Sequence, residues 1–173
     1  PAPTTIPNQT RMPVECAAEE AFFTTLSNTY ESYAQNGTFT ISGSDKIFNC
    51  TNQTGTVVFN ISLSADPWIF TYGQAILQNH TNASAIIINV THTDPVMHSL
   101  AFNAAFLDNS YKIIWNFPNA TRLRFSAIGI KGSVLAPLAN MIMENGHIDG
   151  NVITNGFVMS GGSNTVDHPN GNA

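Results

Sequence analysis

The chain has 173 residues, of which only 10% are charged, and a formal net charge of −5 with six Lys and Arg residues. Soluble domains usually carry roughly 25% charged residues, so Asn, Ser and Thr have to supply the polar surface. The scarcity of basic residues argues against a nucleic-acid partner. No apolar stretch approaches the ~20 residues that span a membrane, so we expect no membrane insertion. The length fits one domain with a sizeable core.

The chain begins at Pro1, and no hydrophobic leader follows. The simplest interpretation is a secreted, extracellular protein whose signal peptide has been removed, and a chain cut at an arbitrary point is the alternative. Residues 1–14 are rich in Pro and Thr without periodicity and are interpreted as an extended N-terminal arm. We expect a single helix-plus-β domain over 15–160 and a polar C-terminal tail over 161–173.

A long helix is predicted from about Glu15 to Gln35. Apolar residues recur there at steps of three and four, at Ala18, Phe22, Leu26, Tyr30 and Tyr33. This stripe predicts one face turned to the core. Asn36 and Gly37 then predict a left-handed C-terminal stop. The only candidate for a second helix is the weak pattern over 97–107.

From Thr38 onward the pattern changes to short alternating strands separated by Gly, Asn and Pro. In the segment 57–63, alternation buries the odd positions and turns Asn60 to solvent. The segment 86–91 follows the same rule, so Asn89 is also expected to face solvent.

The C-terminal third contains an internal repeat. Residues 130–136 align with residues 148–154 at an offset of 18, and residues 113–118 form a looser earlier copy. Repeats of this length are typical of one turn of a three-sided β-solenoid, with Gly132 and Gly150 at equivalent corners. The predicted fold is therefore mainly β, a right-handed parallel β-solenoid with one long α-helix packed alongside. A β-sandwich with coincidental similarity is the alternative.

Two cysteines, Cys16 and Cys50, are an even number. In a secreted chain they predict a disulfide bond, which would stabilise the fold by about 3–4 kcal/mol. The alternative is a pair of buried free thiols.

Acceptor sequences for N-glycosylation are abundant. Chance placement of the Asn, Ser and Thr residues predicts roughly four, whereas nine occur. They lie at Asn8, Asn36, Asn49, Asn52, Asn60, Asn79, Asn82, Asn89 and Asn119. All precede residue 122, which predicts a part coated with covalent N-glycans and a bare part. Asn and Thr that merely decorate turns and strand faces are the alternative.

Catalytic patterns are weak. The best trio for a metal or an acid/base site is Glu144, His147 and Asp149, which polar corner residues of a solenoid explain more simply. The histidines lack metal-ligand spacing, and no G-x-S-x-G elbow occurs. We therefore expect no enzyme activity, no metal and no cofactor. Trp68 and Trp115 are either sugar-stacking platforms or core residues.

Several segments together resemble the choice-of-anchor A domain of bacterial and eukaryotic surface proteins. The resemblance is carried by residues 17–23, Leu26-Ser27, 36–38, 87–90, 114–120, 132–137 and 146–153, and it covers roughly residues 16 to 157. It implies a cell-surface domain with a long helix beside stacked turns, similar in layout to ice-binding β-solenoid proteins. It supplies no catalytic residues, and no anchor or sorting motif follows the matched part here.

The leading hypothesis is a structural or adhesive element that assembles with itself or with other cell-surface and matrix components. The arm would add to the sheet edge of a neighbour in an extracellular fibre. Ice binding is an alternative that requires a regular Thr ladder, but the aligned turns offer Ser133 with Asn151 and Ala136 with Thr154. A carbohydrate-binding module that uses Trp68 or Trp115 is a further alternative.

Overall fold

The computed structural model describes residues 12–64, 68–161 and 165–167, with side chains from residue 17 to 64 and from 68 to 161. The helices are α1 (Met12–Glu31) and α2 (Ala104–Asp108). The strands are β1 (Thr38–Ser42), β2 (Asp45–Asn49), β3 (Gly55–Ser62), β4 (Gln74–Gln78), β5 (Ala83–Thr91), β6 (Val96–His98), β7 (Ala101–Phe102), β8 (Ile113–Asn116), β9 (Arg122–Ser126), β10 (Gly129–Lys131), β11 (Ser133–Glu144), β12 (His147–Asp149), β13 (Val152–Ser160) and β14 (Thr165–Asp167).

The described strands pair in parallel, except that β1 runs antiparallel to β2. Strands from successive turns of the chain lie side by side, in the orders β2-β4-β7, β10-β12-β14 and β3-β5-β8-β11, with β9 and β6 following β11. The fold is therefore mainly β, with parallel strands in a curled sheet, and it is not a sandwich of antiparallel sheets. The handedness of a solenoid stays a prediction.

The sequence repeat corresponds to the register in which strands of successive turns pair. Ile130 pairs with Ile148 and Val134 pairs with Val152, both at the predicted offset of 18 residues. At the second corner, a Cβ on Gly150 would lie 2.5 Å from the carbonyl carbon of Gly132. The two corners stack so closely that glycine is required there, as the pattern predicted.

The core is a column of aromatic rings inside the stacked turns. Phe48, Phe70, Phe106 and Trp115 are fully buried, and the Phe48 and Trp115 rings lie 5.9 Å apart edge to face. The Trp115 indole N–H donates to the Lys131 carbonyl at 3.0 Å, so its one polar atom is satisfied. Trp115 is a core residue, and the hypothesis that it binds sugar is wrong.

Helix α1 confirms the predicted long helix, but its bounds and buried face differ. It ends at Glu31, before Gln35, and it buries Ser27, whereas Phe22 of the predicted stripe is 60% exposed. The Ser27 hydroxyl donates to the Asn116 side-chain oxygen at 2.6 Å. The helix thus packs through a polar contact that an apolar periodicity does not reveal.

Asn36 and Gly37 do not end the helix, so that prediction is wrong. Both backbone N–H groups donate to the Val58 carbonyl, at 3.2 and 3.0 Å. A Cβ on Gly37 would lie 2.4 Å from the ring of Phe59. The segment instead lies against the outer edge of β3, and glycine is needed for close approach to that ring.

Helix α1 packs on the face of β5 that was expected to be open to solvent, and this corrects the prediction for Asn89. Asn60 and Ser62 are exposed as expected, whereas Asn89 is only 1% exposed. The alternation assigned Asn89 to the correct side of β5, but it did not reveal that α1 lies on that side.

Two smaller elements, α2 and β14, refine the expectations for the segment 97–107 and for the C-terminal tail. Helix α2 occupies the end of the weak 97–107 pattern, where the Asn103 side chain caps it by accepting from the Phe106 N–H. Strand β14 lies within the predicted C-terminal tail and pairs with β12. No helix among the described residues combines the length and hydropathy needed to cross a membrane.

Candidate functional site

A ladder of asparagines joins the sheet to α1. Asn60, Asn89 and Asn116 occupy one register position on adjacent strands. Asn89 Nδ2 donates to Asn60 Oδ1, and Asn116 Nδ2 donates to Asn89 Oδ1, both at 2.7 Å. The Asn116 and Asn89 amides also donate to the carbonyls of Ser27 and Tyr30 in α1, and the Asn60 amide donates to the carbonyl of Tyr33, just beyond the helix. The ladder therefore satisfies carbonyls beside the sheet while it fixes the position of the helix.

The predicted glycan acceptors differ in accessibility. Asn89 is buried, Asn49 is half-buried, and Asn8 lies outside the described residues. Exposed acceptors are Asn36, Asn52, Asn60, Asn79, Asn82 and Asn119. Among these, Asn52 and Asn82 make no side-chain hydrogen bond within the described part of the chain, so an attached sugar would displace no contact there. Glycosylation itself stays a prediction.

The expected disulfide bond is not found. Cys50 is a free thiol with no exposed surface, and the Cys16 side chain lies outside the described residues. Burial raises the pKa of the Cys50 thiol to about 11, against the opposing effect of the Lys112 ammonium. The observed Cys50 matches the alternative interpretation of a buried free thiol.

The trio singled out from the sequence does not come together. Glu144 pairs with Arg124 through a 2.7 Å contact. His147 and Asp149 instead share the ammonium of Lys131, which hydrogen-bonds to His147 Nε2 and forms an ion pair with Asp149. Within the described residues, no three His, Cys, Asp or Glu side chains converge as a metal site.

The outer face formed by β6, β9, β11 and β13 carries no regular ladder of threonines at its described positions. One register column contains Val96, Arg124, Ile142 and Val158. This mixture of charge and apolar surface differs from the repeated array that the ice-binding hypothesis requires.

No described strand covers the outer side of β13, so we call this last turn the open end of the stack. Phe157 and Met159 occupy the same inward positions as Met141 and Met143 on the preceding strand. The two earlier residues are fully buried, whereas Phe157 is 38% and Met159 41% exposed. A groove of about 480 Å³ lies between this turn and the first half of α1. It is lined by Glu19, Glu20, Phe23, Pro137, Val152, Ile153, Thr154, Asn155 and Phe157.

A second cleft, of about 520 Å³, opens on the outside of the stack beside β6 and β9. It is lined by Trp68, Thr71, Tyr72, Val96, His98, Arg124 and Ser126. Trp68 is 59% and Tyr72 62% exposed. Trp68 is thus an accessible aromatic residue beside polar groups, unlike Trp115.

The sequence model of one known family, described as "Putative Ice-binding-like adhesive domain", matches residues 2–165 of the chain. The chain belongs to this family. The resemblance to the choice-of-anchor A domain is not confirmed, although the expected layout of a long helix beside stacked turns agrees with the structure. No curated protein and no solved structure matches the chain. Membership in an adhesive family indicates a surface-exposed protein.

Sequence reasoning missed most of the cleft of this adhesive domain. Trp68 was a candidate, but Tyr72, His98 and Ser126 were not, because the stacking of distant strands brings them together. A further signal in the sequence is the pair Arg122 and Arg124, two residues apart on an exposed strand face. Arg124 lines the cleft and Arg122 forms a 3.9 Å ion pair with Asp94.

Proposed function

We propose that this domain is a secreted, non-catalytic adhesive element that associates with further copies of itself through the open end of its stack. The observation that carries the proposal is the exposure of Phe157 and Met159 at positions that every earlier turn buries. Covering these side chains would remove apolar surface from water at roughly 25 cal/mol per Å². Right-handed coiling of a three-sided solenoid is part of this proposal.

The edge of β13 supports strand addition at the same end. Within the described residues, β13 pairs with β11 on one side and with no strand on its other side. An unpaired edge presents backbone N–H and C=O groups that accept another strand. The apolar side chains of Phe157, Val158 and Met159 border that edge.

The other end of the stack is closed. The Val58 N–H donates to the Asn36 side-chain oxygen at 2.7 Å, and the Asn60 N–H donates to Gln35 Oε1 at 3.1 Å. These contacts occupy the outer edge of β3, and Phe39 of β1 packs on Phe48 with ring centroids 5.0 Å apart. If the open end of one copy stacked directly on the closed end of another, these contacts at β3 would have to break. The segment that pairs with β13 therefore has to be a different part of the second copy.

Residues 1–11 of a second copy are the proposed occupant, argued from their sequence because they lie outside the described residues. Prolines stand at positions 1, 3 and 7, which are all odd. Backbone N–H groups alternate between the two edges of a strand. Proline, which lacks this group, is tolerated at positions whose N–H would point to solvent, and the odd positions of the arm share one edge. As a strand, this arm would present the intact N–H groups of Ala2, Thr4, Ile6, Asn8 and Thr10 to β13.

Sedimentation velocity over a range of concentrations tests the proposal. The full chain is expected to associate as its concentration rises to about 0.1 mM, and a chain that lacks residues 1–11 should stay monomeric. Phe157→Lys should also stay monomeric because it places a charge at the open end. Ile41→Lys is the matched control, since Ile41 is 51% exposed at the closed end.

Two results would overturn the proposal. A full chain that is monomeric at every concentration shows no self-association. A truncated chain that associates more strongly than the full chain shows that the arm covers its own β13 edge and blocks association.

A glycan coat is the second part of the proposal. Among the described residues, the exposed acceptors lie outside the last two turns, so sugars on them would leave the open end uncoated. Sugars on the earlier turns would add polar surface to a chain with few charges and would restrict contact to the bare end.

A further inference from the structure

The cleft beside β6 and β9 combines aromatic surface with hydrogen-bonding groups. We propose that it is a carbohydrate site that binds a neutral pyranose oligosaccharide, with the sugar stacked on Trp68 and flanked by Tyr72. This site lies away from β13 and does not depend on self-association. Its volume of about 520 Å³ falls within the roughly 300–1,000 Å³ of small-ligand sites.

The aromatic groups are held in place by the fold. Tyr72 has a left-handed backbone with φ of 57°, which a residue with a side chain rarely adopts. Its N–H donates to the His98 carbonyl at 2.9 Å, and its ring meets the His98 ring edge to face at 5.3 Å. Such local strain persists only where surrounding contacts fix it, and it concentrates at ligand-binding sites.

A buried lysine fixes the same turn from inside. The Lys46 ammonium donates to the carbonyls of Tyr72 and Ser44, each at 2.7 Å, and to that of Thr71 at 3.2 Å. Lys46 is only 4% exposed, and bonds from a charged donor are stronger than neutral ones. The turn that carries Tyr72 is therefore rigid before any ligand arrives, which lowers the entropic cost of binding.

The polar groups of the cleft suit hydroxyls. Arg124 donates from Nε and Nη2 to Glu144 Oε2, at 3.1 and 2.7 Å, so its charge is already compensated. Its Nη1 and the Ser126 hydroxyl make no hydrogen bond to the described residues and can serve as hydrogen-bond partners. Because the Arg124 charge is compensated by Glu144, an anionic sugar gains little, and a neutral sugar is favoured.

The two exposed aromatic residues that line the cleft, Trp68 and Tyr72, favour a sugar over a peptide. The apolar C–H face of a pyranose ring lies flat on an indole while its equatorial hydroxyls point to the rim. A peptide strand would need an unpaired sheet edge, but β6 pairs with β9 on one side and with the segment 70–72 on the other. On that second side the His98 N–H donates to the Phe70 carbonyl, and the His98 carbonyl accepts from the Tyr72 N–H.

Titration calorimetry of the full chain tests the proposal. The probes are cellotetraose, laminaritetraose, mannotetraose and chitotetraose, with tetragalacturonic acid as the anionic comparison. At least one neutral probe is expected to bind with a Kd of about 1 mM or tighter, and the acid more weakly. Trp68→Ala should weaken binding by about tenfold or more, and Trp68→Phe should retain part of it.

Tyr111→Ala is the matched control, because Tyr111 is 65% exposed and does not line the cleft. It should bind as the unaltered chain does, and both variants should keep the same thermal unfolding midpoint. Failure of every neutral probe to bind, tighter binding of the acid, or equal losses in the Trp68 and Tyr111 variants would each overturn the proposal. Deletion of residues 1–11 should leave sugar binding unchanged, so this result and the self-association result are independent.

Discussion

The side-chain amide of Asn116 donates to Asn89 Oδ1 across 2.7 Å, in a layer where both residues are almost entirely shielded from water. Each asparagine of the pair also donates to a carbonyl of α1, at Ser27 and Tyr30. Since these two carbonyls lie one turn apart on the helix, the spacing of stacked strands is matched to the helical rise. The helix is therefore fixed in register against the sheet by polar contacts as well as by packing.

Replacing Asn89 by Ala should destabilise the fold by about 3 kcal/mol. The change leaves one buried Asn116 N–H without an acceptor, which costs about 1–3 kcal/mol. It also removes a bond to the Tyr30 carbonyl, which keeps its bond from the Tyr33 N–H, and this loss adds about 1 kcal/mol. Chemical denaturation monitored by circular dichroism gives the free energy of unfolding. Asn60→Ala at the exposed end of the ladder should cost about 1 kcal/mol, because water replaces the lost partner. Equal losses in the two variants would contradict this account.

Glycan occupancy should follow side-chain accessibility. The Asn89 amide uses both of its hydrogens, in bonds to the Tyr30 carbonyl at 2.8 Å and to Asn60 Oδ1 at 2.7 Å. An attached sugar would replace one hydrogen and would require space under α1. In chains secreted from a eukaryotic host, we expect sugar on Asn52 and Asn82 and none on Asn89.

Enzymatic sugar removal in heavy-oxygen water followed by peptide mass spectrometry reads each acceptor separately. Folded secreted protein with sugar on Asn89 would contradict the buried ladder. Secreted protein with no sugar at any acceptor would remove the glycan coat from the proposed function.

The repeat in the C-terminal third predicted the register of the parallel strands because it depends on backbone packing. Gly132 and Gly150 stack so closely that side chains are excluded, and this constraint is visible in the sequence as an offset of 18 residues. Periodicity likewise predicted the buried odd positions of β3, because alternation in a strand reports which side each residue occupies.

The remaining features depend on which elements meet, and periodicity carries no such information. Asn89 is buried because α1 covers its side of β5, and Phe22 is exposed because α1 turns Ser27 to the sheet. The cleft around Trp68 brings together residues from β6, β9 and a turn far apart in sequence. A single sequence shows the chemistry of each residue but not these juxtapositions.

Stability should fall at high pH through Cys50. Burial raises the pKa of this thiol from 9.0 to about 11. Between those two pH values the unfolded state has lost the proton while the folded state keeps it, so the unfolded state binds fewer protons and stability decreases as pH rises. The full loss, complete above pH 11, is roughly 3 kcal/mol.

The measurement is the free energy of unfolding as a function of pH for the natural chain and for Cys50→Ala. Every other titratable group is common to the two proteins, so the difference between the two curves isolates Cys50. Parallel curves would show that this thiol does not control the alkaline limb. A count of free thiols in denaturant tests the predicted bond to Cys16 in the same samples, since a disulfide leaves none.

Truncation of Met143 and of Met159 should affect stability differently, although the two residues occupy the same inward position on consecutive turns. Met143→Ala should destabilise the monomer by about 2–5 kcal/mol, since it leaves a cavity in the core. Met159 is 41% exposed, so Met159→Ala should cost less than about 1 kcal/mol in the same dilute monomer. At concentrations where the chain associates, Met159→Ala should lower the unfolding midpoint more than it does on dilution, because the partner then covers that side chain. An identical effect at both concentrations would show that nothing packs against the last turn.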